Sequence, residues 1–281
     1  MSAYAHPETL VETAWVRENL GNPGIKLVEI DVDTKQYDAG HIPGAVGFNW
    51  QTQLQDQLRR DIISKAAFEK LLSKSGIADN DTVILYGDNN NWFAAYGFWL
   101  FKIYGHKDVR LMNGGRVKWL AESDRPLTTE TLRPTPTKYK AAEPDLELRA
   151  MIPLVMEASR SGKYNLVDVR SPDEFTGKII APPGMTETAQ RGGHIPGAKS
   201  IPWSQAVNQD GTFKTADELR KLYVQDHGVD PKCETIAYCR IGERSSHTWF
   251  VLKYLLGFQN VRNYDGSWTE YGNLVGAPIE K

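Results

Sequence analysis

The sequence predicts an α/β protein of two domains, each built on a parallel sheet that helices cover on both faces. Three observations support this prediction: the chain length, an internal repeat, and the alternation of apolar strands with helical stretches. At 281 residues the chain is long for one domain and sufficient for two of ordinary size. Hydrophobic residues make up 41% of the chain and charged residues 24%, which is typical of a globular protein.

Two segments of the first half recur, in the same order, in the second half. Residues 27–50 read LVEIDVDTKQYDAGHIPGAVGFNW, and their counterpart from Leu166 begins LVDVRSPDEF and ends GGHIPGAKSIPW at Trp203. Residues 81–115 match residues 234–267 as strand, polar loop, helix, glycine turn and strand. Two matches in register indicate a duplication.

The alternation within each copy predicts where the sheet lies. Strands are predicted at Leu27–Ile30, Val83–Tyr86 and Val109–Met112 in the first copy, and at Leu166–Val169, Thr235–Tyr238 and Val261–Tyr264 in the second. Helices are predicted at 65–75 and at 216–224, the latter with Thr215 as its N-cap. Strand–helix alternation favours a parallel sheet. The domains are predicted at 1–127 and 150–281, joined by the proline-rich linker 128–149.

Charge and composition exclude several classes of function. The formal net charge of −2 argues against binding to nucleic acid or to a membrane surface. No apolar run is long enough to span a bilayer, and the start of the chain does not resemble a signal peptide. The two cysteines and six histidines lack metal-ligand spacing, so no metal or other cofactor is expected. Two cysteines also make no disulfide framework, which predicts a reducing compartment, the cytoplasm.

Cys239 is the candidate nucleophile. It follows the predicted strand Thr235–Tyr238 and opens a short loop, CRIGERS, that leads into a helix. Ligands bind at this carboxyl edge of an open parallel sheet, and the loop N–H groups, with Gly242 among them, can hold an anion at the helix N-terminus. Arg240 and Arg244 are expected to lower the pKa of the thiol further. The alternative is an inert buried thiol.

The first copy has no equivalent of this thiol. Alignment of the halves places Gly87 opposite Cys239 and the residues DNNN at 88–91 opposite the arginine-bearing loop. One copy is therefore predicted to perform the chemistry, while the other is structural or shapes the substrate site. The second cysteine, Cys233, lies in a turn before the strand and is predicted to be a bystander.

With these motifs the sequence resembles the tandem-domain rhodanese family, and within it the bacterial thiosulfate sulfurtransferases. The resemblance rests on GHIPGA in both halves, DVRSPDEF in the second, and the loop CRIGERS ahead of a helix. It implies two α/β domains of the family's fold, an inactive first copy, and an active site in the cleft between the domains. It also implies a double displacement: Cys239 takes the outer sulfur of a donor such as thiosulfate, sulfite leaves, and the persulfide passes its sulfur to cyanide or a thiol.

The sequence departs from the best-known relatives at two charged positions. The vertebrate-type thiosulfate enzymes carry a lysine where this chain has Ile241 and an arginine where it has Glu174. Arg240 and Arg244 are therefore the expected partners of a dianionic donor, with Arg244 taking over the main electrostatic role. The family's mercaptopyruvate enzymes typically have an uncharged loop, so two arginines favour thiosulfate, and 3-mercaptopyruvate stays the alternative donor.

Other residues carry weaker expectations. Trp92 and Phe93 match an aromatic pair that walls the family's cleft, and Trp203 is a further candidate for substrate contact; plain core packing is the alternative for all three. His247 is predicted on an exposed helix turn. The remaining expectations concern His41 and His194, predicted to hydrogen-bond their turns; Asp168 and Arg170, predicted to form a buried pair; and residues 178–193, an insertion that could border the site.

Two further classes compete with a sulfurtransferase. Cysteine phosphatases also place a cysteine in an anion-binding loop, but their loop ends with an arginine six residues after it, where this chain has Ser245. The smaller loop suits a single sulfur better than a phosphate. The non-enzyme alternative is a rhodanese-like binding, sulfur-carrier or regulatory module; such modules usually lose the cysteine, whereas this chain retains Cys239 with both arginines.

Overall fold

The structure of the protein is a computed structural model that describes residues 3–184 and 188–281. These residues form two compact units. The N-terminal unit contains Glu8–Asp145 and Gln209–Thr212, and the C-terminal unit contains the residues up to Pro7, Leu146–Asn208 and Phe213–Lys281. None of the helices formed by the described residues is both long and apolar enough to cross a membrane.

The N-terminal unit alternates strands with helices, as the sequence predicts. Its elements in chain order are β1 (Leu10–Val11), α1 (Thr13–Glu18), β2 (Ile25–Asp31), α2 (Lys35–Ala39), β3 (Ala45–Asn49), α3 (Trp50–Gln53), β4 (Gln55–Asp56), β5 (Asp61–Ile62), α4 (Lys65–Lys74), β6 (Thr82–Tyr86), α5 (Trp92–Ile103), β7 (Val109–Met112) and α6 (Gly115–Ala121). A 3-10 helix at Pro7–Thr9 precedes β1, and another at Asn89–Asn91 precedes α5.

The main sheet of this unit has the strand order β1-β7-β6-β2-β3, and every neighbouring pair is parallel. A separate antiparallel pair joins β4 and β5. Val28 and Ile30 in β2, and residues 83–85 in β6, are fully buried because helices flank the sheet. This order places the loops after β2 and β6 side by side at the carboxyl edge.

The C-terminal unit repeats this arrangement with shorter elements. Its elements are α7 (Ile152–Ser161), β8 (Asn165–Asp168), α8 (Pro172–Phe175), β9 (Lys199–Ser200), α9 (Ala216–Arg220), β10 (Thr235–Tyr238), α10 (Glu243–Phe250), β11 (Val261–Tyr264) and α11 (Ser267–Tyr271), with 3-10 helices at Leu146–Leu148 and Trp203–Ala206. Two helices continue as π-helix, α9 over Lys221–Asp226 and α10 over Val251–Leu255. Thr215 caps α9 as predicted, since its side chain accepts a hydrogen bond from the N–H of Glu218.

The sheet of the C-terminal unit has the order β11-β10-β8-β9, again with parallel pairs only. The corresponding strands of the N-terminal unit have the order β7-β6-β2-β3, so the duplication read from the sequence is a duplication of the fold. The N-terminal unit adds β1 at one edge.

Residues 128–145, most of the predicted linker, belong to the N-terminal unit. Thr128 and His41 exchange both backbone hydrogen bonds, the N–H of Thr137 donates to Ser73, and that of Ala142 donates to Tyr104. These backbone hydrogen bonds and the buried ring of Tyr139 hold the segment in place, and neither leaves an apolar periodicity in the sequence.

Both copies brace the GHIPGA turn with a buried guanidinium, although different elements supply it. In the C-terminal unit Arg170 donates to Asp168 (Nη2–Oδ2 2.6 Å) and to the carbonyl of the first glycine of the turn (2.7 Å), which confirms the predicted buried pair. In the N-terminal unit Arg116 of α6 donates to Glu29 (2.8 Å) and to the equivalent carbonyl (2.6 Å). The histidine of each turn is structural, as predicted: His41 Nδ1 lies 2.8 Å from a backbone carbonyl and His194 Nδ1 lies 2.9 Å from another.

Candidate active site

Strand β10 delivers Cys239 to the carboxyl edge of its sheet, as the sequence predicts. Its neighbours in the sheet are β8 and β11, which run parallel to it, so all three strands end at this edge. Cys239 is fully buried. Its backbone N–H donates to Ser267 Oγ at 3.1 Å, and this hydroxyl in turn donates to the carbonyl of Tyr264 at 2.6 Å. The loop is thereby fixed to the end of β11.

The loop after Cys239 directs a backbone donor at the sulfur. Gly242 is the N-cap of α10 and has φ +102°, a conformation that L side chains rarely adopt. Its N–H donates to Cys239 Sγ at 3.1 Å. The sulfur therefore lies at the N-terminus of a helix that runs from Glu243 through the π-helical segment to Leu255, where negative charge is stabilised.

A carboxylate contacts the same sulfur. Cys239 Sγ donates to Glu243 Oε2 at 3.3 Å, and the Glu243 side chain is 2% exposed. Sequence reasoning missed this residue because it weighed only the arginines of CRIGERS. The signal was present, since Glu243 lies within the predicted loop CRIGERS, four residues after the cysteine.

Arg244 does not present an unopposed charge to the site. It forms a two-pronged ion pair with Glu174, with Nη1–Oε2 at 2.9 Å and Nη2–Oε1 at 3.0 Å, and its Nε lies 3.5 Å from Glu243 Oε1. Glu174 is held in α8 by a capping box with Ser171. Glu174, where the vertebrate-type enzymes have an arginine, is therefore the counter-ion of Arg244.

The expected depression of the cysteine pKa is wrong. Burial raises the pKa of the Cys239 thiol, and the charge of Glu243 raises it further; Arg244 and hydrogen bonds from Ser245 oppose both and do not reverse them. The error arose because the sequence showed the arginines and could not show that Cys239 is fully buried beside a carboxylate. The raised pKa favours the thiol over the thiolate at neutral pH.

Buried polar side chains of α10 and β11 form a hydrogen-bond network that ends on the loop backbone. Ser245 Oγ contacts Asn263 Oδ1 at 2.6 Å, Asn263 Nδ2 donates to Ser246 Oγ at 2.8 Å, and Ser246 Oγ donates to the carbonyl of Gly242 at 2.7 Å. All three side chains are fully buried. Sequence reasoning missed them, although a run of polar residues on a helix that must be buried was a usable signal.

The other predicted site residues are Arg240 and three aromatic residues, which are buried or partly buried. Arg240 lies in the loop, 6% exposed, and its carbonyl accepts from the N–H of Thr269 at 3.0 Å. Phe93 is buried and packs against Trp50 with ring centroids 5.2 Å apart, while Trp92 and Trp203 are partly buried, each within its own unit. Substrate contact by these four residues stays a prediction.

The counterpart of the site in the N-terminal unit has no room for a cysteine. A Cβ at Gly87 would lie 2.3 Å from the carbonyl oxygen of Ile30 and 2.9 Å from Asp31 Oδ1. Asn91, at the position that matches Glu243, folds into the loop, and its Oδ1 accepts from the N–H of Gly87 at 3.1 Å. Burial and the charge of Glu29 raise the pKa of Asp31 to about 7, and burial and the charge of Asp31 raise the pKa of Asp88 to about 7. Two carboxyl groups, Asp31 at the end of β2 and Asp88 in the loop after β6, therefore lie near the position at which the C-terminal unit has the thiol of Cys239.

Two other expectations concern Cys233 and the insertion at residues 178–193. Cys233 is partly exposed in its turn and its Sγ donates to Asp230 Oδ2 at 3.5 Å, away from the loop of Cys239. Part of the predicted insertion, residues 185–187, lies outside the described residues. Its C-terminal end is anchored by Arg191, which donates to the carbonyls of Ala277 and Leu274.

The expected exposure of His247 is wrong. Its side chain is 1% exposed and lies against Phe213, with ring centroids 4.7 Å apart, and edge-on to Trp203 at 5.7 Å. Its Nδ1 has no hydrogen-bond partner among the described residues. Burial lowers the pKa of His247 to about 3. The sequence could not show that this face of α10 is covered, because the covering ring of Phe213 comes from a distant loop.

Acid is therefore expected to destabilise the fold through His247. The unfolded chain takes up a proton near pH 6.5 that the folded chain excludes down to about pH 3, so the stability contributed by neutral His247 is complete above that range and is lost as the pH falls through it. The loss is about 1.4 kcal/mol for each pH unit in this range. Urea unfolding at about pH 7 and about pH 5 should show a loss roughly 2 kcal/mol smaller in His247→Leu than in wild type. Equal losses in both proteins would contradict the assignment.

Comparison with known proteins agrees with this fold. The Rhodanese-like domain model matches residues 12–122 and 153–274, so the chain belongs to the rhodanese family, with one such domain in each half. The solved structure of a 3-mercaptopyruvate sulfotransferase, SseA from Escherichia coli, is similar over 92% of this chain and 98% of its own, with a TM-score of 0.80 and 25% identity.

Relatives at higher identity have names that refer to sulfur transfer or sulfur carriage. A protein of Mycolicibacterium smegmatis named "Putative thiosulfate sulfurtransferase" is 59% identical over 277 residues, 98% of this chain and 99% of that protein. A Thermus thermophilus protein named "Sulfur carrier protein TtuD" is 55% identical over 282 residues, 99% of this chain and 98% of that protein. The chain is a sulfurtransferase enzyme.

Proposed function

We propose that the enzyme is a thiosulfate sulfurtransferase that carries the outer sulfur of thiosulfate on Cys239 as a persulfide and passes it to cyanide or a thiol. The observation that carries the proposal is the contact of the Gly242 N–H with Cys239 Sγ, 3.1 Å long, at the start of α10. An N–H donor at a helix N-terminus stabilises both the attacking thiolate and the persulfide anion. The full burial of Cys239 keeps water from the persulfide.

The donor is assigned from the charges of the loop. Arg240 and Arg244 are the two cations within six residues of the thiol, and an inorganic dianion needs such partners. Glu174 offsets part of the Arg244 charge, so Arg240 has a larger share in donor binding than the sequence suggested. The name of the Mycolicibacterium smegmatis relative supports the same donor. We place the enzyme in a reducing compartment, the cytoplasm, because this chemistry requires a free thiol at Cys239.

A second candidate is a sulfur carrier that receives its sulfur from a protein or small persulfide and hands it to a partner. The name of the Thermus thermophilus relative favours it, and the persulfide on Cys239 would be common to both functions. The two differ in the source of the sulfur, which can be tested directly.

Intact-mass measurement after incubation with thiosulfate tests the proposal. We expect one added sulfur per chain in wild type and none in Cys239→Ser, with the adduct lost and thiocyanate formed when cyanide is added. Cys233→Ser is the matched control and should gain the sulfur as wild type does. An adduct that forms with 3-mercaptopyruvate and not with thiosulfate would overturn the donor assignment. An adduct that forms only with a persulfide donor would favour the carrier.

A further inference from the structure

The thiol of Cys239 lies between a backbone donor and a buried carboxylate. The thiol donates to Glu243 Oε2 at 3.3 Å, and both side chains lie below the protein surface, 0% and 2% exposed. Gly242 donates to the same sulfur from the backbone at 3.1 Å. The sulfur therefore lies between an N–H donor, which stabilises negative charge on it, and a carboxylate, which can accept its proton.

The other groups around the sulfur cannot accept that proton. Arg244 is a cation, Ser245 and Ser267 are hydroxyls, and Glu174 is already engaged by Arg244 and Ser171. Besides Glu243 and Arg244, α10 carries His247. The loop carries Arg240, α8 carries Asp173 and Glu174, and α11 carries Glu270; the ion pairs Asp168–Arg170, at the end of β8, and Arg149–Asp265, beside Gly242, lie on the neighbouring elements. Among these, only Glu243 has a carboxylate oxygen within hydrogen-bond distance of Sγ in the described part of the chain.

We infer that Glu243 is the general base that takes the proton of Cys239 when the thiol attacks its sulfur donor. This inference rests on the proposed function and assigns a catalytic residue to it. Burial of Cys239 keeps the thiol protonated at rest, which makes a nearby base necessary. Arg244, whose Nε lies 3.5 Å from Glu243 Oε1, keeps the carboxylate turned toward the sulfur with its other oxygen.

The step balances with thiosulfate as donor. The proton moves from Sγ to Oε2 of Glu243 as the sulfur attacks the outer sulfur of thiosulfate and a new S–S bond forms. The S–S bond of the donor breaks, and its electron pair leaves with sulfite. Glu243 then gives the proton to sulfite, which departs as hydrogensulfite. The thiol and thiosulfate become a persulfide anion and hydrogensulfite with the same total charge, and no external oxidant or reductant is needed.

The test is the pH dependence of persulfide formation in Glu243→Gln, followed by rapid quench and intact mass from about pH 5 to about pH 10. We expect a rate about 100-fold below wild type at neutral pH, rising about tenfold per pH unit, as hydroxide takes the proton in place of Glu243, until the thiol is fully ionised. Wild type should be nearly independent of pH above neutrality. If Glu243 only raised the thiol pKa through its charge, its removal would make the reaction faster at neutral pH, which is the opposite sign. A rate in Glu243→Gln equal to or above that of wild type therefore overturns the inference.

Two further variants keep the result interpretable. Glu174→Gln removes an equally buried charge that contacts Arg244 and not the sulfur, so its pH profile should keep the wild-type shape whatever its amplitude. Glu243→Asp retains a carboxylate, but its side chain is one methylene shorter, so the carboxylate lies farther from the sulfur. Persulfide formation should have an intermediate rate and a wild-type pH profile. This variant also tests the inference if Glu243→Gln does not fold. An alkaline shift in Glu174→Gln like that of Glu243→Gln would contradict the assignment. Absence of the adduct in wild type at every pH would instead reject the proposed function.

Discussion

Replacing Arg244 with methionine is expected to lower the free energy of unfolding by about 3–5 kcal/mol. The guanidinium is the counter-ion of Glu174 and lies 3.5 Å from Glu243, and these carboxylates are 1% and 2% exposed. Without it, two buried negative charges lie close together. Transfer of sulfur from thiosulfate should slow by about 10–100-fold, since a charge-assisted contact is lost.

The loss of stability should depend on pH in a defined direction. Burial alone would raise the pKa of Glu174, but Arg244, with smaller contributions from Ser171 and Arg170, holds it below its usual value. In wild type this pair therefore stabilises the fold at neutral pH, and the contribution is lost as the pH falls below the usual range of a glutamate. Without Arg244 the pKa of Glu174 rises, so the deficit of the variant should be largest at neutral pH and smaller near pH 4, as urea unfolding can measure.

A double-mutant cycle is the control for this prediction. Because Glu174→Gln removes one of the two unpaired charges, the double variant Glu174→Gln/Arg244→Met should recover about 2 kcal/mol relative to Arg244→Met alone. A loss below about 1 kcal/mol in Arg244→Met, or strictly additive effects in the cycle, would show that the ion pair is not what holds this part of the fold together.

Replacing Gly242 with alanine is expected to cost about 2–4 kcal/mol of stability and to slow persulfide formation about 100-fold. Its φ of +102° is strained for any L residue, and an added Cβ would lie 2.8 Å from Asp265 Cα and 2.9 Å from Asp265 Cβ. Relief of that clash requires the loop to move, and the N–H of Gly242 is the backbone donor to Cys239 Sγ. Urea unfolding and the rate of adduct formation measure the two effects.

Gly197 provides the matched control within the same unit. It also has a positive φ, +80°, but nothing lies within 4 Å of an added Cβ. Gly197→Ala should therefore show only the conformational cost, about 1 kcal/mol, with persulfide formation unchanged. If the two alanine variants formed the adduct equally fast, the Gly242 N–H would not be the group that stabilises the sulfur anion.

The fold was largely predictable because its signals are local and occur twice. Apolar runs bounded by glycine and polar turns predicted β10 and β11 to the residue, and the recurrence of GHIPGA showed that one sheet is built twice. Residues 128–149 were harder to place because backbone hydrogen bonds and the buried ring of Tyr139 hold most of that segment on the N-terminal unit, and neither leaves an apolar periodicity in the sequence. The exposure of His247 was predicted wrongly because its cover, Phe213, is remote in sequence.

The sequence by itself determined the fold class, the duplication, the rhodanese resemblance and the identity of Cys239 as the candidate nucleophile. These follow from patterns within a few tens of residues. Only the tertiary structure decided the electrostatics of that cysteine. Glu174 reaches Arg244 from another part of the chain, and Glu243 turns inward to the sulfur while burial removes water from all of them. A pKa depends on solvation and on distances between charges, and both are set by packing that no local pattern records.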